Sequence, residues 1–415
     1  MWGRWGWGLA VLALLCTAPS RAQPPQAVAA AIAMLDERPH AGEEAWRGLS
    51  ARSLPLIEPH PGDDALARVT FIFKTAPSVS GVRLDSVIAA PYARQPVTDY
   101  VDDFPLPLQR IGETGIWWTT LDVPREIEAV YSFLVFDGER WQRRSDPHNP
   151  RHLRGSGAEA VLRLDRAPDP APQRPWPSRR QREPEYLFVE SGALERRVAV
   201  QLYRNPDATA MSPLLVIYDA FLWGVRAPAW EIAANLAAAG EIPPVNLVLI
   251  DQLDTLSETR RYDDQVGFLA DELLPALAEQ GLEPAPGQVI LAGASRRGLA
   301  AARAALQRPE AFGGVISLSG SFYWAPEGEA AEWLGRDLRP AGPRAPRFYL
   351  AAGQLEYVET STNGGHVMLD ANRRFGTALT AAGYEAELAI FPGGHDIAGW
   401  RHALADGLVA LLGED

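Results

Sequence analysis

Beyond residue 186 the chain alternates short, continuously apolar runs with stretches whose apolar residues recur at helical spacing. The apolar runs are "PLLVIYDA" (213–220), "VNLVLIDQ" (245–252), "QVILAGA" (288–294), "GGVISLSGS" (312–320), "RFYLAAG" (347–353) and "EAELAIFPGG" (385–394). Between and after them the spacing predicts helices near 229–239, 265–280, 298–306, 366–382 and 399–412. Strands that lack polar alternation are buried on both faces, so the pattern predicts an α/β fold: a doubly wound, mostly parallel sheet. "YLFVES" and "RRVAVQLYR" read as a hairpin that opens it.

The first half has a different rhythm. "VTFIFK" (69–74), "VRLDSVIA" (82–89), "GIWWTTLDV" (115–123), "AVYSFLVF" (129–136) and "AVLRLD" (160–165) are β-branched and aromatic runs bounded by turn residues. They predict a small all-β, immunoglobulin-like sandwich over 23–166, preceded by a helix at 26–37. The proline-rich, aliphatic-poor "APDPAPQRPWPSRRQREPE" cannot bury enough apolar surface to fold and reads as a linker over 167–185. The α/β unit is then 186–415. Trp117 and Trp118 are expected in the core rather than as a sugar platform.

At the start, "MWGRWGWGLAVLALLCTAPSRA" has Arg4 ahead of a short apolar run and ends small-x-small at Ser20-Arg21-Ala22. It predicts a cleaved signal peptide, 1–22, and a periplasmic mature protein with no integral membrane segment. Cys16, the single cysteine of the chain, falls inside that peptide, which excludes disulfides and thiol catalysis afterwards. A net charge of −13 and a pI near 5.1 argue against nucleic acid as a partner, because phosphate repulsion would go unopposed.

The chemistry concentrates in "VILAGASRRGLAAARAALQ" (289–307): strand, turn bearing Ser295, helix. Such a turn pushes a hydroxyl out of the sheet and aims helix N-terminal N–H groups at an oxyanion beside it. The usual form is G-x-S-x-G, yet Arg297 stands at the second glycine and Gly298 follows. Serine needs a base, and His395 in "FPGGHD" lies directly after the last strand. His402, within the final helix, is expected on the surface. Glu356, after "FYLAAGQ", is the acid candidate, with Asp370 in reserve. The oxyanion hole is expected from the N–H of Arg296 and a second N–H at Ala220 or Phe221. No metal-ligand cluster or phosphate loop appears, and neither metal nor organic cofactor is predicted.

"LAGASRRGLAAARAALQRPEAFGGVISLSGSFYW", "YDAFLW", "IPPVNLVLIDQLDT", "GGHDIAGWRHALADGLVALL" and, earlier, "FPLPLQRIGETGIWWTTLDVP" together resemble the enterochelin (enterobactin) esterase family. The resemblance implies hydrolysis of the ester bonds of a ferric catecholate trilactone siderophore, with Ser295 as nucleophile, His395 as base and the acid at Glu356. Two departures stand out. Arg297 replaces the family's glycine, and "ETRRYDDQ" carries Glu258, Arg261 and Gln265 where the family has an R-x-x-E-L-x-x-N-like stretch. Arg297, Arg226, Arg260, Arg261 and Trp223 are the substrate-binding candidates, the arginines forming a cationic mouth for an anionic ligand. Two other readings stay open: a carbohydrate-side acetyl or feruloyl esterase, and a catalytically weak siderophore-binding protein.

Overall fold

The computed structural model describes residues 24–92, 105–155, 159–170, 172, 183–251, 259–336, 338–357 and 367–413. The predicted signal peptide and most of the predicted linker lie outside the described residues. The N-terminal part opens with helices α1 (Gln26–Glu37) and α2 (Gly42–Ser50). Nine strands follow: β1 (Leu56–Pro59), β2 (Leu66–Lys74), β3 (Gly81–Asp85), β4 (Leu106–Pro107), β5 (Gln109–Arg110), β6 (Ile116–Pro124), β7 (Glu128–Phe136), β8 (Trp141–Arg144) and β9 (Ala160–Arg163). They form two antiparallel sheets, β1-β2-β6-β5 and β4-β3-β7-β8 with β9 beside β7.

Alternation along β2 and β6 explains how that part packs. Val69, Phe71, Trp117 and Leu121 meet Leu84, Tyr131 and Phe133 of the other sheet in one core. Ile72, Ile116 and Trp118, on the opposite face, pack against Val28, Leu35 and Leu49 of the two helices. Both tryptophans are buried, as a core role requires. The strand expected over 82–89 stops at Asp85. A 3-10 turn, Val87–Tyr92, follows, and Pro91 within it has no N–H to offer a ladder.

The C-terminal part is built on an eight-stranded sheet, taken here in chain order. The hairpin β10 (Glu185–Ser191) and β11 (Arg196–Tyr203) leads to β12 (Leu214–Tyr218), α3 (Ala229–Ala239) and β13 (Asn246–Ile250). Then come α4 (Thr259–Gly267), α5 (Leu274–Glu279), β14 (Val289–Ala294), α6 (Arg296–Gln307), β15 (Gly314–Leu318) and α7 (Trp333–Arg336). β16 (Arg347–Gly353), α8 (Met368–Ala381), β17 (Ala386–Phe391) and α9 (Ile397–Leu412) end the chain. The spatial order is β10-β11-β13-β12-β14-β15-β16-β17, parallel from β13 onward. Every residue of β12, β13, β14 and β15 is buried, because helices cover both faces. The helix expected near 265–280 starts earlier and carries a π-helical turn, Phe268–Leu273, between α4 and α5.

Candidate active site

Four adjacent parallel strands deliver the site. Ser295 follows β14, Ser319 follows β15, Glu356 lies in the loop after β16, and His395 lies in the loop after β17. Carboxyl ends of strands in such a sheet are where its loops can converge on a ligand.

Ser295 sits at φ 57°, ψ −125°, a backbone conformation that side-chain-bearing residues rarely adopt. What holds it there is local. Its N–H donates to Leu318 O at 2.8 Å, and its carbonyl accepts from Gly298 and Leu299 of α6. A Cβ on Gly293 would lie 2.6 Å from the carbonyl carbon and oxygen of Arg297. One on Gly298 would lie 2.5 Å from Ser317 Oγ. Small residues are therefore required at 293 and 298, whereas the backbone at 297 accommodates a side chain. This is why the motif reads G-x-S-x-x-G. Ser295 Oγ is half-buried and 3.4 Å from Ser321 Oγ. Arg296 occupies the first position of α6, where helical N–H groups lack partners within the helix.

The Glu356 carboxylate is buried and fully engaged. Oε1 lies 2.5 Å from His395 Nδ1, while Oε2 accepts from Gly353 N–H at 2.6 Å and Ser319 Oγ at 2.8 Å. Trp400 Nε1 donates to Ser319 Oγ at 2.9 Å, and its ring meets His395 edge-on at a centroid distance of 4.9 Å. The imidazole is thus fixed by a carboxylate at Nδ1 and an indole alongside, an arrangement that sets its tautomer and plane. Asp370, the reserve acid, is instead half-exposed on α8 and pairs with Arg373 at 3.1 Å. Ser319 (φ 50°) and Trp400 had no motif to mark them; only the spatial neighbourhood of Glu356 does.

The loop after β12 is the third side. Asp219 has φ 77°, and its Oδ1 accepts from Leu222 N–H at 3.0 Å. Ala220 is buried beneath this turn and Phe221 is exposed. The next five residues, Leu222–Arg226, form a π-helical turn.

Several binding candidates are placed differently from expectation. Trp223 is fully buried in the core against α3 and the sheet, because the π-turn points it inward, so it lines no cleft. Arg226 pairs with Glu159 of the N-terminal part and serves a junction rather than a mouth. Arg297 lies 3.6 Å from Asp219 Oδ2, tethering the elbow to the neighbouring loop. Arg296 stacks over Trp324 at 5.4 Å. The side chains of Arg260 and Arg261, at the start of α4, lie outside the described residues, as does Glu258. His402 is not on the surface: it is buried, with Nε2 2.6 Å from Glu128 Oε2, because this face of α9 is covered by β7.

Burial pushes the Glu128 carboxyl up, but the His402 hydrogen bond and the charges of Arg401, His402 and Arg163 outweigh it and leave it below the usual range. Burial pushes Asp396 up to about 7, opposed by N–H donors from Gly399, Val130 and Ala398. Among the described residues, no group of three or more His, Cys, Asp or Glu side chains could hold a metal ion, and no helix is long and apolar enough to cross a membrane.

A family model described as putative esterase matches residues 191–411, which include Ser295, Glu356 and His395. The iron(III) enterobactin esterase of Dickeya dadantii is 28% identical over 424 residues, covering 92% of this chain and 96% of that relative. The iron(III) salmochelin esterase of Escherichia coli is 28% identical over 408 residues, covering 89% and 93%. The crystal structure of the enterobactin esterase from Shigella flexneri in the presence of enterobactin superposes with a TM-score of 0.70 at 22% identity, covering 90% of this chain and 98% of that one. With the model spanning more than half of the sequence, the chain belongs to the putative esterase family.

Proposed function

We propose that the protein is a serine esterase acting on a catecholate trilactone siderophore of the enterobactin kind. One observation carries this reading: a Glu356–His395 contact of 2.5 Å stands at the same sheet end as a strained Ser295, two and three strands away, in a chain that aligns almost end to end with enterobactin and salmochelin esterases. His395 takes the Ser295 proton as the hydroxyl oxygen attacks an ester carbonyl. The Arg296 N–H and an N–H at Ala220 or Phe221 hold the oxyanion. His395 then protonates the leaving alkoxide, and water, activated by the same imidazole, frees the acyl group and regenerates Ser295. Glu356 keeps the imidazole oriented and stabilises its charged form. Any iron enters and leaves with the siderophore as cargo.

The same reading divides the chain into a signal peptide (1–22), an immunoglobulin-like sandwich domain (23–166), a linker (167–185) and a hydrolase domain (186–415), and places the mature enzyme in the periplasm. Arg297, paired with Asp219, would present its remaining N–H groups beside the oxyanion loop, where an anionic substrate would feel the charge. The decisive experiment gives the protein and its Ser295→Ala variant ferric enterobactin, iron-free enterobactin, acetylated sugars and feruloyl esters. Turnover of the trilactones by the wild type alone supports the proposal. Turnover of only the sugar or feruloyl esters overturns the substrate class, and activity in Ser295→Ala overturns the mechanism.

A further inference from the structure

The two loops that carry the acid and the base are gripped by the N-terminal part at several points. Leu355, next to Glu356, is buried in the core of the N-terminal sheets among residues such as Phe71 and Phe133. Its neighbour Gln354 reaches Glu126 at 3.4 Å. Beside His395, Gly394 is pressed so closely on Val87 that a Cβ there would lie 2.8 Å from the Val87 Cβ. On the other side of His395, Asp396 caps α9 through Oδ1, from Ala398 N–H at 2.9 Å and Gly399 N–H at 3.2 Å. Its second oxygen, Oδ2, accepts from the backbone N–H of Val130 in β7 at 3.1 Å. Two residues earlier on the same strand, Glu128 takes Arg401 at 2.5 Å and His402 at 2.6 Å from the first turns of α9, and Arg163 of β9 at 2.8 Å. The two loops are also tied to each other, Leu355 N–H donating to Gly393 O at 2.9 Å.

Two positions of β7, Glu128 and Val130, thus meet the N-terminal end of α9, whose cap Asp396 follows His395. The backbone hydrogen bonds of Ser295 in the nucleophile elbow, by contrast, run to Leu318, Gly298, Leu299 and Ser321 of the α/β part. We propose that the N-terminal sheet is a positioning element for catalysis: Glu128, the Val130 N–H and Val87 hold the loops of Glu356 and His395 in register with Ser295. This rests on the catalytic reading of those three residues. It assigns the N-terminal part a role in the turnover step itself, apart from any share in choosing the substrate. A buried carboxylate meeting two arginines and a histidine is costly to leave incomplete, so the junction is rigid rather than adaptable. Misplacing an imidazole by a fraction of an ångström lowers the rate without touching substrate binding.

The test uses the full chain and a small neutral ester, p-nitrophenyl butyrate, at pH 8. Asp396→Asn keeps the side-chain volume and an oxygen for the helix cap but turns an amide toward the Val130 N–H. The expected result is a fall in kcat of about tenfold with KM held within about threefold. Gly394→Ala is expected to lower kcat by a similar factor, and Val87→Gly, added to it, to restore most of the loss by making room for the new methyl. Arg38→Ala, which removes an exposed ion pair with Glu44 far from the junction, is the control and leaves kcat unchanged. The burst of p-nitrophenol counts competent sites, so an unfolded fraction does not enter kcat. Wild-type kcat in Asp396→Asn and Gly394→Ala, or a loss in Gly394→Ala that Val87→Gly leaves uncorrected, overturns the inference. Ser295→Ala separates it from the reading beneath: if that variant still turns over the ester, the catalytic assignment fails first.

Discussion

Ser295 and the Glu356–His395 pair are held by opposite kinds of structure. Ser295 is fixed by neighbours within the Esterase-family sheet: Gly293 four residues before Arg297, Gly298 three after the serine, and Leu318 on the next strand. Glu356 and His395 sit on loops whose outer sides are packed by residues more than two hundred positions earlier, Val87, Glu126, Glu128 and Val130. A strained turn can be specified by a short sequence because the strain and its relief are local. Loops between a strand and a helix have no such self-sufficiency, and here a second set of sheets supplies what they lack.

The largest effect belongs to the nucleophile side. Ser295→Ala removes the attacking oxygen while leaving every backbone contact of the elbow in place, so kcat should fall by on the order of 10⁴-fold or more with the melting temperature unchanged. Steady-state hydrolysis and a thermal melt on the same preparation check both halves of that statement. A variant that melts much earlier would show that the serine hydroxyl carries structural weight, contrary to the long 3.4 Å contact it makes with Ser321.

On the other side the expectation is smaller and mixed. Glu356→Gln preserves shape but can no longer hold a charged imidazole, and a fall in kcat of about 10³-fold is expected. It also turns an amide onto either His395 or the Gly353 N–H and Ser319 hydroxyl, three partners that the carboxylate now satisfies. Stability should therefore drop as well, by about 1–3 kcal/mol, which denaturant unfolding would read. Loss of rate without loss of stability would mean that the N-terminal core around Leu355 holds the loop unaided.

That division also explains what could be read along the chain. The helices at 26–37 and 229–239 and the strand at 347–353 coincide with the expected spans, since apolar spacing alone decides them. The strand-end placement of Ser295, Glu356 and His395 was legible because each lies within four residues of the end of an apolar strand. His402 and Trp223 were misjudged for one reason: their burial is imposed from outside their own segments, by β7 in one case and by a π-turn in the other. Glu128 stands one residue before the apolar run at 129–136. Nothing in a linear pattern shows that two arginines and a histidine converge on it.

The junction should leave a trace in the pH dependence of stability. Asp396 stands at about 7 in the folded chain, raised by burial from an unfolded value near 4. Between those values the folded state holds a proton that the unfolded state releases, so stability falls as pH rises from about 4 to about 7 and then levels off. Asp406 on α9, also raised by burial, adds a slope of the same sign. Unfolding midpoints at pH 5 and pH 8 should therefore differ less in Asp396→Asn than in the wild type. Glu128 works the other way: its lowered value contributes stability above the usual carboxylate range that disappears only as pH falls below it, outside this window. An equal pH 5 to pH 8 difference in both proteins would mean that the N–H donors, rather than burial, govern Asp396.

The smallest effect is expected where the two sides meet the oxyanion loop. Arg297 and Asp219 lie 3.6 Å apart, and the arginine is partly exposed, so the pair adds little to stability, about 0–1 kcal/mol. Its position is nevertheless distinctive, because Asp219 is itself strained at φ 77° and also receives the Leu222 N–H. Arg297→Gly would release the elbow from that loop and remove a cation from beside Ser295. With a neutral ester the rate should change by less than about threefold, since neither the elbow's own contacts nor the Glu356–His395 pair is touched. With a ferric catecholate, KM should rise and its salt dependence should weaken, as expected for a charge that acts on the substrate from a partly screened position. Equal changes for the neutral and the anionic ester would instead make the arginine a strut for the Asp219 turn, and its charge incidental.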